Sequence, residues 1–254
     1  MAGKDAKRAR PSGAGRTTGR SGKGASAKGG SPKTASAKAS GRSDRPAPPP
    51  PPATPAHPPT GPLRLGAVPG ATPGRWISTW RERMPGNPLE LIALTVADQR
   101  AALTSGVVDA ALVRLPVDRD GLHVIPLYDE VPVVVVPVDS HLTAADELEA
   151  SDLAGEVLIV AADDVLGFTA DGTMTPTFAP LETTDSMAIV AAGAGVLVVP
   201  MSIARLHHRR DLDHRPLRDG PTSTVALAWV ADRTTPLVEA FVGIVRGRTA
   251  NSSR

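Results

Sequence analysis

The sequence predicts an α/β fold of two lobes joined by two crossings, preceded by a disordered basic arm. Three observations predict it. From Leu63 onward, short apolar runs alternate with segments of helical period. The alternation occurs in two sets, and a late strand with a terminal helix follows the second. Charge divides at the same boundary: residues 1–62 hold 12 Lys/Arg against Asp5 and Asp44, whereas residues 63–254 hold 16 against 24 acids, so an arm of net +10 joins a body of net −8.

The first set opens with a strand, Leu63 to Val68. A Gly/Pro turn leads to a helix over Pro73 to Met84, with proline suited to the first turn and Ile77, Trp80 and Met84 on one face. Leu89 to Leu94 is the second strand. Thr95-Val96-Ala97-Asp98 has the form of a capping box with Asp in the Glu/Gln place, and Gly106 marks the end of the helix it starts. Asp109 to Arg114 is the third strand, so parallel pairing with right-handed crossovers is expected.

The second set begins after Tyr128 with the apolar run Val131 to Val136. A short acidic helix near Ala144 to Leu153, the strand Val157 to Ala161 and an irregular stretch to Pro180 are expected next. Then come a helix over Ser186 to Ala192, the strand Val196 to Val199 and a helix from about Met201. The strand Thr224 to Val230 and the helix Pro236 to Arg246 close the chain. A two-lobed architecture of this kind holds its ligand in a cleft beyond the carboxyl ends of the strands.

Apart from Met1, residues 1–62 contain no Leu, Ile, Val, Phe, Trp or Tyr, so nothing there offsets the entropy of ordering the chain. All six lysines lie in this arm, and from Pro46 to Pro62 it becomes a proline tract suited to extended polyproline II. Two readings of the cations stand: non-specific, salt-sensitive contact with DNA or RNA phosphates, or a solvated tail without a partner.

Other chemistries are excluded or disfavoured by pattern. There is no cysteine, so disulfides and thiolate metal sites are ruled out. No run reaches the roughly 18 apolar residues of a membrane span, and no apolar stretch follows the basic N-terminus, so a cytoplasmic protein without membrane contact is expected. The histidines and aspartates of 207–214 sit beside Arg209 and Arg210, which repel a metal cation. Gly193-Ala194-Gly195 lies between helix and strand, the wrong order for a dinucleotide turn. Ser186 and Ser202 lack nucleophile-elbow spacing, so neither catalysis nor a cofactor is expected.

The segments LRLGAVPG (63–70), WRERMPG (80–86), LTSGVVDAALVRLP (103–116), GLHVIPLYDEVPVVVVPVDSHL (121–142), SDLAGEVLI (151–159), DSMAIVAAGAGVLVVPMSIARL (185–206) and VALAWV (225–230) occur in this order. In that series the chain resembles the effector-binding domain of LysR-type transcription regulators, of the type II periplasmic-binding-protein architecture. The resemblance covers most of residues 63–248. It implies lobe I over about 63–128 plus 232–248 and lobe II over about 129–231, with a disordered C-terminus at 249–254. It also implies a small-molecule effector and a regulatory role in transcription. Family members begin with a winged helix-turn-helix; the basic arm stands in its place here, so sequence-specific DNA reading is not carried over. The alternative reading is a nucleic-acid-associated protein working through its arm, with the folded part serving oligomerisation or regulation. A homodimer or protein partner is the expected recipient of any signal.

Helix starts at Gly70 to Pro73, Thr95 to Asp98 and Thr183 to Ser186 follow strands at the expected cleft, where free N–H groups favour an anion, so the effector is expected to be a small anionic metabolite. The opposing reading is that Thr95 and Thr184 only cap their own helices. Arg114 ends an apolar strand where the resemblance puts the effector cavity. It is expected either to hold a ligand carboxylate or to pair with an acid such as Asp118. The resemblance adds Val68, Pro69, Thr95, Ala161, Thr183, Pro200 and Met201 as cleft residues.

Overall fold

The computed structural model describes residues 61–247. The arm up to residue 60 and residues 248–254, with the expectations made for them, lie outside the described residues.

The first sheet has five strands in the order β2-β1-β3-β9-β4. Its members are β1 (Leu63–Ala67), β2 (Leu89–Ala93), β3 (Ala110–Arg114), β4 (Leu122–Glu130) and β9 (Ser223–Val230). β1 pairs in parallel with β2 and β3, as the strand-helix alternation demands, while β9 runs antiparallel between β3 and β4. Period-two alternation sends Leu63, Leu65, Leu112 and Leu227 to one face and Ala111, Val113, Ala226 and Ala228 to the other. The first face is covered by α1 (Gly74–Arg83) and α5 (Pro236–Val245), the second by α2 (Gln99–Ser105).

Trp80 anchors the α1 and α5 layer. Its ring is fully buried at 6.0 Å from that of Phe241, and Nε1 donates to the Asn87 carbonyl at 2.8 Å. Proline opens α5, and Thr235 Oγ1 accepts from the Val238 N–H. At the other end of α2, Gly106 adopts the left-handed conformation (φ 80°), and Arg233 Nη2 donates to the carbonyls of Leu103 and Thr104 at 2.6 and 2.7 Å. The last carbonyls of α2 are thus satisfied by a side chain 129 and 130 residues away.

The second sheet has the order β6-β7-β5-β8, from β5 (Pro132–Pro137), β6 (Leu158–Ile159), β7 (Val196–Pro200) and β8 (Leu212–Pro216). Val133, Val135, Leu197 and Val199 face α3 (Thr183–Ala191) and α4 (Met201–Leu206). Val134, Val136, Val196 and Val198 face Leu142, Leu153 and Phe168 on irregular chain. Both sheets are covered on both faces, so most positions of their central strands are apolar instead of alternating with polar residues, Arg64 of β1 and Arg114 of β3 being exceptions.

The structure departs from the sequence expectations at identifiable places. The acidic helix near Ala144 to Leu153 is instead two single 3-10 turns, His141–Ala144 and Ala150–Leu153, since four-residue turns capped by Ser140 and by the Glu149–Asp152 box satisfy the local N–H groups. β8 was not expected: its sequence LDHRP is polar and half-buried because it forms a sheet edge. β9 lies in the first sheet, so the chain returns to lobe I between Pro216 and Ser223 and not after Val230. Hydrogen bonding between β9 and both β3 and β4 decides this, and a strand's own composition does not reveal its neighbours.

Truncation of Phe241 to Ala removes the ring against Trp80 and should destabilise the protein by about 3–5 kcal/mol in urea denaturation. A loss below about 1 kcal/mol would contradict the packing described.

Candidate functional site

The carboxyl ends of β1, β2 and β3 in lobe I face those of β6 and β7 in lobe II across a cavity of about 600 Å³. Pro69, Thr95 to Ala97 and Arg114 line it from the first lobe. Ala161 to Val165, Glu182, Thr183 and Pro200 line it from the second. Six of the eight residues expected at a cleft therefore meet around one space. Val68 is buried at 2% exposure and is not among the lining residues. Met201 lines a second cavity, of about 670 Å³, with Gly70, Thr72, Tyr128 and Arg205.

Arg114 is held from several directions. Gln99, itself buried, pins its backbone: Gln99 Nε2 donates to the Arg114 carbonyl at 3.0 Å, and the Arg114 N–H donates to Gln99 Oε1 at 2.8 Å. The guanidinium is 1% exposed, and Nη1 donates to Glu130 Oε2 at 2.8 Å and Ser223 Oγ at 2.7 Å. Nη2 donates to the Pro69 carbonyl at 3.2 Å. Glu130 Oε2 also accepts from Ser202 Oγ of α4 at 2.8 Å. The ion partner is thus Glu130; Asp118 pairs with Arg100 at 3.1 Å instead. Arg114 Nε is buried without an acceptor.

The pair sits at the junction of the lobes. Glu130 ends β4, immediately before the chain enters β5 of lobe II, and Ser223 begins β9, where it returns. Arg114 borders the first cavity and Glu130 the second, so the ion pair forms part of the partition between them. The backbone approach here is close. Gly70, at φ +81°, has no room for a Cβ, which would lie 2.2 Å from Ser202 Oγ across the lobe boundary. In the second cavity the Tyr128 hydroxyl is buried beside Thr72 without a well-formed hydrogen bond. Burial pushes its phenol above the ordinary value of 10.0, and the Glu130 carboxylate adds to the shift.

The hydroxyls expected to meet a ligand are engaged locally. Thr95 Oγ1 accepts from the Asp98 N–H at 3.0 Å and donates to Asp98 Oδ2 at 2.7 Å. Thr183 donates its N–H and Oγ1 to Asp163 Oδ1, at 2.8 and 2.7 Å, so an acid from the preceding loop occupies the start of α3. Asp164 accepts from the N–H groups of Leu166 and Gly167 at 3.0 and 2.8 Å, fixing the loop. Sequence reasoning missed Glu130, Ser202, Ser223 and Gln99, and also the lining acids Asp163, Asp164 and Glu182. One signal existed for Glu130, an acid abutting the apolar run Val131 to Val136.

Residues 56–250 match the family model described as LysR substrate binding domain. Among characterised relatives, the Hca operon transcriptional activator HcaR of Escherichia coli is 28% identical over 204 residues, covering 74% of this chain and 68% of that protein. The HTH-type transcriptional regulator CatR of Pseudomonas putida is 30% identical over 168 residues, covering 62% and 57% respectively. The chain therefore spans roughly three fifths to two thirds of these relatives. A mutant OxyR regulatory domain from Pseudomonas aeruginosa superposes with a TM-score of 0.58 at 26% identity, over 75% of this chain and all of that one. The BenM effector binding domain with its effector benzoate reaches 0.61 at 20% identity, over 74% and 91%, a likeness of fold.

Changing Glu130 to Gln leaves the Arg114 charge buried without its counterion and should cost about 3–5 kcal/mol in urea denaturation. The double change Arg114→Met with Glu130→Leu should recover much of that loss. Additive losses would show that the two residues are not coupled. Tyr128 is the only tyrosine, so absorbance titration reads it directly. Its native midpoint should lie above that of the urea-unfolded chain. Its contribution to stability is then fully present below the unfolded pKa and is lost as pH rises through the folded one. Coincident native and unfolded midpoints would refute the burial of the phenol.

Proposed function

The chain belongs to the LysR substrate-binding family, and on that premise we propose that it is an effector sensor whose lobes close on a small metabolite, with a regulatory role in transcription and no catalytic turnover. The observation that carries this reading is the cavity of about 600 Å³ beyond the carboxyl ends of strands from both lobes. Its volume suits a small metabolite. The residues around it offer hydrogen-bonding groups at its edges and apolar surface from Val96, Val165, Val199 and Ile203.

A sensor also needs a way for the occupied cavity to change the relation of the lobes. Arg114 borders the cavity and, through Glu130, reaches Ser202 of the other lobe. A ligand that binds better with the lobes closed shifts the population by its difference in affinity between the two arrangements. The lobe boundary, carrying Gly70 against Ser202, is where that difference is felt. A homodimer interface or a protein partner would receive the change.

At a hundred times its dissociation constant, an effector that binds only the folded form stabilises it by about 2.7 kcal/mol. That corresponds to a rise of about 5–11 °C in melting temperature for a domain of this size. A panel of organic acids, amino acids, amines and aromatic metabolites should therefore contain members that raise the melting temperature of the full chain. The change Ala97→Trp, at an exposed cavity-lining position, should abolish the rise. No rise with any member, or a rise that survives Ala97→Trp, would overturn the cleft as the effector site.

A further inference from the structure

The charges around the cavity are not balanced. Its charged lining residues are Arg114, Asp163, Asp164 and Glu182. The one cation is already paired, with Glu130 at 2.8 Å. Among the described residues no ion pair is formed by any of the three acids. The lobe II wall is therefore an uncompensated carboxylate surface, while the lobe I wall carries no spare positive charge.

The groups that would receive an anion are taken. The start of α3 is filled by Asp163, whose Oδ1 accepts both the N–H and the hydroxyl of Thr183. An incoming carboxylate would meet that acid instead of free N–H donors. Thr95 is closed upon Asp98. By contrast, Glu182 is exposed to the cleft, and its carboxylate makes no hydrogen bond or ion pair among the described residues. Asp164 is oriented by two backbone N–H groups and retains lone pairs for a further donor.

A second, independent observation lies on the opposite wall. Arg114 is 1% exposed and borders the cavity, and its Nε–H has no acceptor. A buried donor without a partner is costly, and an acceptor on a ligand would satisfy it as the lobes settle around the bound molecule. The two walls therefore ask for different ends of one molecule: a donor-rich cation toward lobe II and an acceptor toward lobe I.

Resting on the cleft reading above, we propose that the effector is a small ammonium-bearing metabolite whose cationic nitrogen lies against Asp164 and Glu182, beside Asp163, with an acceptor end toward Arg114. The physical consequence is a ligand-dependent closure. Closing the cleft takes the exposed Glu182 carboxylate and the remaining lone pairs of Asp164 out of water beside Asp163 with no counterion, which is unfavourable, and a cation among them reverses the sign. The ammonium group thus binds the closed form better than the open one, which is the differential affinity that a switch needs.

The test compares four probes on the full chain by melting temperature and calorimetry: L-lysine, with both ends; 1,5-diaminopentane, with ammonium groups only; 6-aminohexanoate, with one of each at opposite ends; and glutarate, with carboxylates only. The expected result is binding by ammonium probes and none by glutarate, with L-lysine or 6-aminohexanoate tighter than the diamine because they supply the acceptor. Glu182→Lys, at an exposed position, should weaken ammonium probes about tenfold or more, with each shift read from that variant's own ligand-free melting temperature. Glutarate binding tighter than the ammonium probes and sensitive to Ala97→Trp would overturn the cationic class while leaving the cleft as effector site. Ammonium binding unaffected by Glu182→Lys would overturn the assigned wall. If no ammonium probe binds, the proposal fails, and the wider metabolite panel then decides whether the cleft reading fails with it. Tighter binding of the diamine than of both acceptor-bearing probes would overturn the acceptor assigned to Arg114.

Discussion

Much of the lobe junction depends on a single buried ion pair. Arg114 and Glu130 are 1% and 8% exposed, so both have given up most of their hydration, and the Coulomb attraction between them repays this only with additional hydrogen bonds. Those bonds come from the whole neighbourhood: Ser223, Ser202, the Pro69 carbonyl and, through the backbone, Gln99. The strand that leaves lobe I and the strand that returns to it are thereby tied to the same two charges. The close approach of Gly70 to Ser202 and the partition between the two cavities lie at the same place.

Such a pair is a poor source of net stability but a good source of specificity, because an arrangement that separates the charges leaves each uncompensated. In a protein of two lobes the specified quantity is their relative position. The apolar interior does not supply it: the core residues of the first sheet and those of the second form separate clusters. Each lobe can bury its own surface wherever the other stands. The polar network at the crossings and the charges lining the cavity are what distinguish one lobe arrangement from another, and the same groups would feel a ligand.

The sequence carried the elements well where burial follows a local period. The parallel strands Leu63–Ala67, Leu89–Ala93 and Ala110–Arg114, and the helices that follow the first two, are legible because short apolar runs alternate with segments of helical period between glycine and proline breaks. Gly106 and Pro236 punctuated their helices for the conformational reasons that glycine and proline always have. The expectation weakened where the environment decides: LDHRP became an edge strand, and an acidic stretch became two short turns.

The sequence by itself determined the alternation of strands and helices, the division of charge between arm and body, and the resemblance that the family match upholds. All of these reside in near neighbours or in composition. Tertiary structure alone decided which charges meet. Arg114 finds Glu130 at a separation of 16 residues and Ser223 at 109, while Asp163 reaches Thr183 across 20. Those encounters depend on how two sheets cross and how a loop folds back on a helix, and charge acts through distance in space, which the order of residues along the chain does not state.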